Sequence, residues 1–358
     1  NKAAKVSQGK YLMMLNNDTQ VEDYWLDNLL QTFIDFPRSG IVGSKLIYPD
    51  GTLQEAGGII WKDGSAWNFG RYKDEKDPIF NYAREVDYCS GAAIMIPKEI
   101  FNKFGGFDED YVPAYCEDSD FALKIRSEGY RVIYQPFSKV IHFEGISSGR
   151  NLNKGVKKYQ VINSKKQFSK WKDFLKERPP NGIEVDKAKD RAHKFRVLFL
   201  DQNTPTPDQD SGSIDVYNQM IILRDLGFQV TFIPLSFRYS KKYTPQIQRI
   251  GIEAIYRPFI NSLEDHLLEH GERYDLIFIS RGNTFNSCIN QVKKYCPKAK
   301  ILFHTVDLHF LREERQAKIE NSKILTKQAK ESKEREISAI KKADVSTVIS
   351  KEELKLIS

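Results

Sequence analysis

The chain has 358 residues, with 55 Lys+Arg against 48 Asp+Glu, a formal net charge of +7 and a 40% apolar share. That is too long for one small domain and comfortable for two, and too apolar for a disordered, collagen-like or disulfide-scaffold chain. Cys89, Cys116, Cys288 and Cys296 form no CxxC pair, which argues against a zinc site.

The first ten residues, NKAAKVSQGK, are polar and basic, unlike a secretory leader, and no apolar run reaches the roughly 18 residues of a membrane helix. The chain starts with Asn and stops just after a strand-like run, so both ends read as cut. Residues 11–15 (YLMML) read as a buried strand, 23–36 as a helix ended by Pro37, and 40–44 as a strand. A strand is expected at 86–96 around CSGAA, then a helix at 119–128 ended by Gly129, then short strands at 131–134 and 139–143. Residues 151–194 are lysine-rich, from Lys154 and Lys157 to Lys172. Within them Val161, Phe168, Trp171 and Leu175 have helical spacing. Pro179-Pro180-Asn181-Gly182 stops that helix, and a charged linker is expected over 179–194.

From residue 195 a strand–helix alternation begins. Strands are expected at 196–200, 229–233, 274–280, 299–304 and 345–349, with a helix at 214–226. This is the pattern of an open doubly wound parallel sheet. The tract 312–342 alternates Glu and Lys and reads as one solvated helix with a thin apolar stripe.

Three features in the first half could carry chemistry. Leu15-Asn16-Asn17-Asp18 puts a carboxylate at a strand end, where ligands bind in α/β sheets. Asp18 could hold Mg²⁺ or Mn²⁺, or cap the next helix. Glu117-Asp118-Ser119-Asp120 places three acids at a helix start, either as favourable charges on the helix dipole or as a general base. His142 reads as a core histidine or as a metal or phosphate ligand.

The order of these motifs resembles the C-terminal part of the family 2 glycosyltransferases, of the GT-A, rhamnosyltransferase-like kind. It runs GKYLMMLNNDTQV, VDYCSGAAIMIPKEIFNKFGGFDEDY, YCEDSDFALKIRSEGYRVIYQP, VIHFEGISSG and the NSKKQFSKWKDFL helix. The resemblance implies a GT-A domain over 1–178, with its nucleotide-binding part lying before residue 1. It implies that Asp18 and His142 hold a divalent metal (Mg²⁺ or Mn²⁺) on a nucleotide sugar. Asn16 stands in the first place of the DxD-type motif. Asp118 matches the catalytic base of inverting members, with Glu117 orienting it. Asn17, Gly91, Gly106, Asp108 and Asp120 then fall in donor or acceptor pockets.

Residues 195–358 resemble the N-terminal half of a family 4 (GT-B) glycosyltransferase. The segments that carry this are RVLFLDQNTPTPDQDSGSIDVYNQ, YDLIFISRG, ILFHTVDLHFLREERQA and ADVSTVIS. The resemblance implies an acceptor site around Asp210, Ser211, Gly212, Asp307, His309, Arg312 and Glu313, and a donor-binding domain beyond Ser358.

The fold class expected is α/β, a partial GT-A domain followed by a Rossmann-like sheet. The expected function is a fragment of a bifunctional cytoplasmic glycosyltransferase for cell-surface polysaccharide. Its partners would be a nucleotide sugar and a glycan or lipid-linked acceptor, with no nucleic acid. The lysine-rich helix either packs as a solvated helix against the first domain or makes peripheral contact with an anionic membrane. A non-catalytic nucleotide- or sugar-binding scaffold is the alternative.

Overall fold

The computed structural model describes residues 1–144 and 158–357, so Lys154 and Lys157 lie outside the described residues. The chain divides into two compact α/β units, Asn1–Ala192 and His193–Ser358.

The first unit is built on a seven-stranded mixed sheet. Its centre is Ser39–Ile47, buried at every residue. It runs parallel to Arg131–His142 on one side and antiparallel to Ala93–Pro97 on the other. Tyr11–Leu15 lies outside Ala93–Pro97, and Thr19–Val21 outside Arg131–His142. The central strand outruns the expected 40–44 because Lys45, buried within it, finds acceptors in Glu75 (3.1 Å) and Asn81 (2.5 Å).

Two expected strands, 131–134 and 139–143, are one, Arg131–His142. Pro136 has no N–H to give, and the ladder slips register between Ser44 and Lys45 to pass it. The strand expected from residue 86 begins only at Ala93. Before it, the N–H groups of Ser90 and Gly91 are taken by side chains, Glu55 and Asp118, instead of by a ladder.

The helix Lys158–Leu175 differs from its expected apolar face. Val161 and Phe168 are 49% and 38% exposed, while Asn163, Gln167 and Leu175 are buried. The two amides are buried because they are bonded, Asn163 to main-chain carbonyls and Gln167 to the Ser119 hydroxyl at 2.7 Å. The stretch expected as a linker is packed on this unit as far as Ala192. Arg178 and Arg191 both reach Asp87 at 3.1 Å, and Lys189 donates to the Tyr82 hydroxyl at 2.7 Å.

The second unit has six parallel strands: Phe195–Asp201, Phe228–Pro234, Glu253–Ala254, Leu276–Ser280, Lys300–His304 and Val345–Thr347. Numbered in chain order they lie 3-2-1-4-5-6, so the winding reverses between the first and fourth. The two-residue third strand carries no sequence signal. The charge-rich tract is two helices, His309–Ile319 and Lys323–Lys342. Asn321 at φ +47° turns the chain, and the Ser322 hydroxyl caps the second helix at Leu325 N–H. Its buried stripe is Ala329, Ser332, Glu336 and Ala339, and Ile319 and Ile324 face outward.

Candidate functional site

Asp18 and His142 are 124 positions apart in sequence, and the sheet edge joins them. Thr19 pairs with His142 in the antiparallel ladder, and Phe143 N–H donates to the Asp18 carbonyl at 2.9 Å. Asp18 Oδ1 then stands 3.4 Å from His142 Nε2, as does the Asn16 amide nitrogen. Asn17 is exposed beside them.

Hydrogen bonding fixes the imidazole tautomer. The Glu144 carboxylate accepts from Tyr48 (2.9 Å), Arg71 (2.7 Å) and the Gln54 amide nitrogen (3.1 Å). Gln54 therefore turns its Oε1 to His142 Nδ1, 3.0 Å away, and Nδ1 must carry the hydrogen. Nε2 then faces the Asp18 carboxylate and the Asn16 amide, and in the neutral ring it offers a lone pair that suits a cation. Asp18 and His142 fit as two ligands of a hard divalent ion, with Gln54 orienting the imidazole from behind. Among the described residues no group of three His, Cys, Asp or Glu could hold a metal alone. Substrate oxygens and water would have to complete the shell.

A short hydrogen-bonded path leads from this pair to the acids. Asn16 N–H donates to the Ala92 carbonyl at 2.9 Å, and the next residue back, Gly91, donates its N–H to Asp118 Oδ2 at 2.8 Å. Asp118 Oδ1 accepts from Ser119 N–H at 2.7 Å. Asp118 lies in the first turn of the helix Glu117–Ser127, which directly follows Tyr115 and Cys116, whose φ values are +76° and +73°. Successive left-handed residues without glycine cost about 1–3 kcal/mol each and need outside support. Asn163 supplies it, donating to the carbonyls of Tyr111 and Ala114 at 2.8 Å and of Tyr115 at 3.2 Å.

Burial raises the Asp118 carboxyl above the ordinary carboxylate range, against the opposing pull of its two amides. Burial, then the charge of Asp118, pushes Glu117 up to about 7. Glu117 Oε2 is buried with no hydrogen-bond partner. Gly91 lies against Asp118, where an added Cβ would come within 3.4 Å of the carboxylate.

The other expected residues lie elsewhere. Asp120, 1% exposed, is fully engaged by Tyr111 (2.9 Å), Trp171 (2.7 Å) and Lys170 (2.8 Å), and fastens the long helix. Asp108 caps the turn at Asp110 N–H and pairs with Lys170 at 2.8 Å. Gly106, at φ +75°, packs against Asn1 and Phe101. Gln54, Glu55 and Glu144 escaped the sequence reading. They come from an irregular segment and a strand end, with no spacing that links them.

In the second unit a cavity of about 570 Å³ opens where the winding reverses, lined by Asp201, Asp210, Arg281, Thr284, His309 and Glu336 among others. Ligands bind at such switch points in open α/β sheets. Arg281, left-handed at φ +72°, pairs with Asp201 at the end of the first strand. Gly212 permits this approach, since a Cβ there would meet Arg281 at 3.1 Å and Val306 at 2.9 Å. Asp210 is the helix cap, accepting from Ser213 N–H at 2.8 Å, and Ser211 begins the helix. Asp307 holds His309 at 2.9 Å and raises its imidazole pKa, and Arg312 stands 3.7 Å from Asp307. Asp210, His309 and Glu313 line the cavity, and the other four expected residues do not. Arg281 and Thr284 were missed. The Thr284 hydroxyl is buried and unpartnered.

Residues 1–105 match the family model described as glycosyl transferase family 2. Curated proteins match part of the chain. The O-antigen biosynthesis protein RfbC of Myxococcus xanthus is 34% identical over 156 residues, which is 41% of this chain and 12% of RfbC. An N-acetylglucosaminyl-diphospho-decaprenol L-rhamnosyltransferase of Mycobacterium tuberculosis is 26% identical over 39% of this chain and 49% of its own length. The rhamnosyltransferase WbbL of Escherichia coli is 36% identical over 58 residues, 16% of this chain and 22% of WbbL. The chain thus spans about half or less of the length of these relatives. A solved structure, GalNAc-T7 with UDP, GalNAc and Mn2+, is 16% identical over 49% of this chain and 35% of its own, at a TM-score of 0.37, too slight a likeness to argue from.

Proposed function

We propose that the first unit transfers a sugar, with inversion, from a nucleotide-sugar donor to a glycan or lipid-linked acceptor in cell-surface polysaccharide synthesis. The observation that carries this reading is the path Asn16–Ala92–Gly91–Asp118. It ties a candidate cation pair to a half-buried carboxylate held by two amides. A divalent ion between Asp18 and His142 would offset the charge gathering on the leaving diphosphate.

Asp118 takes the proton of the acceptor hydroxyl as its oxygen bonds to the sugar C1. The bond from C1 to the diphosphate oxygen breaks, and the nucleoside diphosphate leaves with the electron pair. A base on the face opposite the leaving group gives inversion. Glu117, buried against Asp118, keeps the carboxylate on the side of the acceptor. The second unit is read as the N-terminal half of a GT-B transferase whose switch-point cavity takes a second acceptor. The chain as a whole is then part of a bifunctional enzyme, working on the cytoplasmic side.

The test is melting of the whole chain with UDP, GDP or dTDP, with and without Mn²⁺. A ligand at 100 times its Kd adds about 2.7 kcal/mol. One nucleotide should stabilise the wild type only with metal, and Asp18→Ala should remove the effect. Stabilisation that ignores both metal and Asp18→Ala would overturn the assignment of the cation pair.

A further inference from the structure

Glu55 is a carboxyl group that the mechanism above does not use. It ends the short strand Leu53–Glu55 and is 1% exposed. Its Oε1 accepts from Ser90 N–H at 2.8 Å, while Oε2 is buried without a hydrogen-bond partner. The very next amide, Gly91 N–H, holds Asp118. Two carboxyl groups thus sit on consecutive N–H groups of one turn.

Where two carboxyl groups hang on consecutive amides, the charge of one opposes ionisation of the other, so one proton between them is favoured. The donors decide where it goes. Asp118 has an N–H on each oxygen, Gly91 and Ser119, and both stabilise the anion. Glu55 has one donor and one bare oxygen. We propose that Glu55 carries the shared proton on Oε2 and is a positioning residue that keeps Asp118 ionised to receive the acceptor's proton.

The role given to Asp118 rests on the transferase reading, whereas the location of the proton does not. The other groups facing Glu55 agree with it. Arg71, whose charge opposes the rise, is committed to Glu144 at 2.7 Å. Tyr88, Cys89 and Tyr134 are buried and their acidities are suppressed, so they stay neutral. Burial, reinforced by Asp118, pushes the Glu55 carboxyl up to about 8.

The experiment is infrared titration of the full chain, following the C=O stretch of a protonated carboxylic acid. All samples carry Glu117→Gln, because Glu117 also titrates near neutrality, at about 7. The band should be present at neutral pH and fade with a midpoint of about 8. Adding Glu55→Gln should abolish it, and adding Asp118→Asn should leave it. A band that survives Glu55→Gln and is lost in Asp118→Asn puts the proton on Asp118 and overturns the proposal, as does no band at all. If Glu55→Gln does not fold, by circular dichroism, the Asp118→Asn arm decides alone: persistence supports the proposal, and loss refutes it. No sugar donor enters the measurement, so a failure of the transferase reading would show only in transfer assays.

Discussion

The side-chain amide of Asn163 donates to the main-chain carbonyl of Tyr115 across 3.2 Å, and so holds a left-handed residue two positions before Glu117. The same nitrogen serves Tyr111 and Ala114. Asn163→Ala leaves these carbonyls without their donor, at a cost of about 1–3 kcal/mol. Thermal melting should fall accordingly. Transfer should fall further than stability alone explains, because the turn that aims Asp118 relaxes.

Asp118 and Asp120 are two residues apart and should respond differently to the same change. Asp118→Asn removes a carboxylate that burial disfavours but turns an NH₂ toward one of its two amide donors, so the net stability change should be small. The transfer rate should drop by about 10²–10⁴-fold. Asp120→Asn turns an NH₂ toward the donors Lys170, Trp171 and Tyr111 and should cost about 2 kcal/mol. Denaturant curves and transfer assays on the two variants make the comparison. Equal stability losses would remove the distinction drawn between them.

The buried acids set a pH dependence of stability. In the folded state Glu55 and Glu117 bind protons up to about 8 and about 7, above their ordinary 4.5. The native chain therefore holds more protons than the unfolded chain across that window. Stability contributed by the protonated acids is complete below about 4.5 and is lost as pH rises to about 8. Chemical denaturation at pH 5 and pH 8.5 should show the decline, and Glu55→Gln should flatten it.

In the second unit Asp201 is 1% exposed and depends on Arg281 for its counter-charge. Arg281→Met strands that carboxylate, at about 3 kcal/mol. Asp201→Asn added to Arg281→Met should recover much of the loss. The double-mutant cycle by melting reads the coupling, and strict additivity would contradict the pairing.

Much of the frame was legible because periodicity and strand-end chemistry report themselves locally. YLMML is a strand, Asp118 lies in the first turn of a helix, and the strands of the second unit fall where apolar runs meet turns. The partners that tune the site were not legible. Gln54 and Glu55 occupy a three-residue strand whose neighbours are decided by tertiary pairing. The face of Lys158–Leu175 was misread because Asn163 and Gln167 are buried by hydrogen bonds, which no hydrophobic pattern records. Residues 131–134 and 139–143 read as two strands because only the partner strand reveals the register shift that carries one strand past Pro136.

The pairing of Thr19 with His142 makes the cation pair depend on a count of residues as well as on their kinds. Side chains alternate between the faces of a strand, so shifting one strand by a single residue sends His142 opposite a different neighbour and away from Asp18. An insertion between Asp18 and Thr19 would carry the carboxylate away from the imidazole even when every ligand residue is retained.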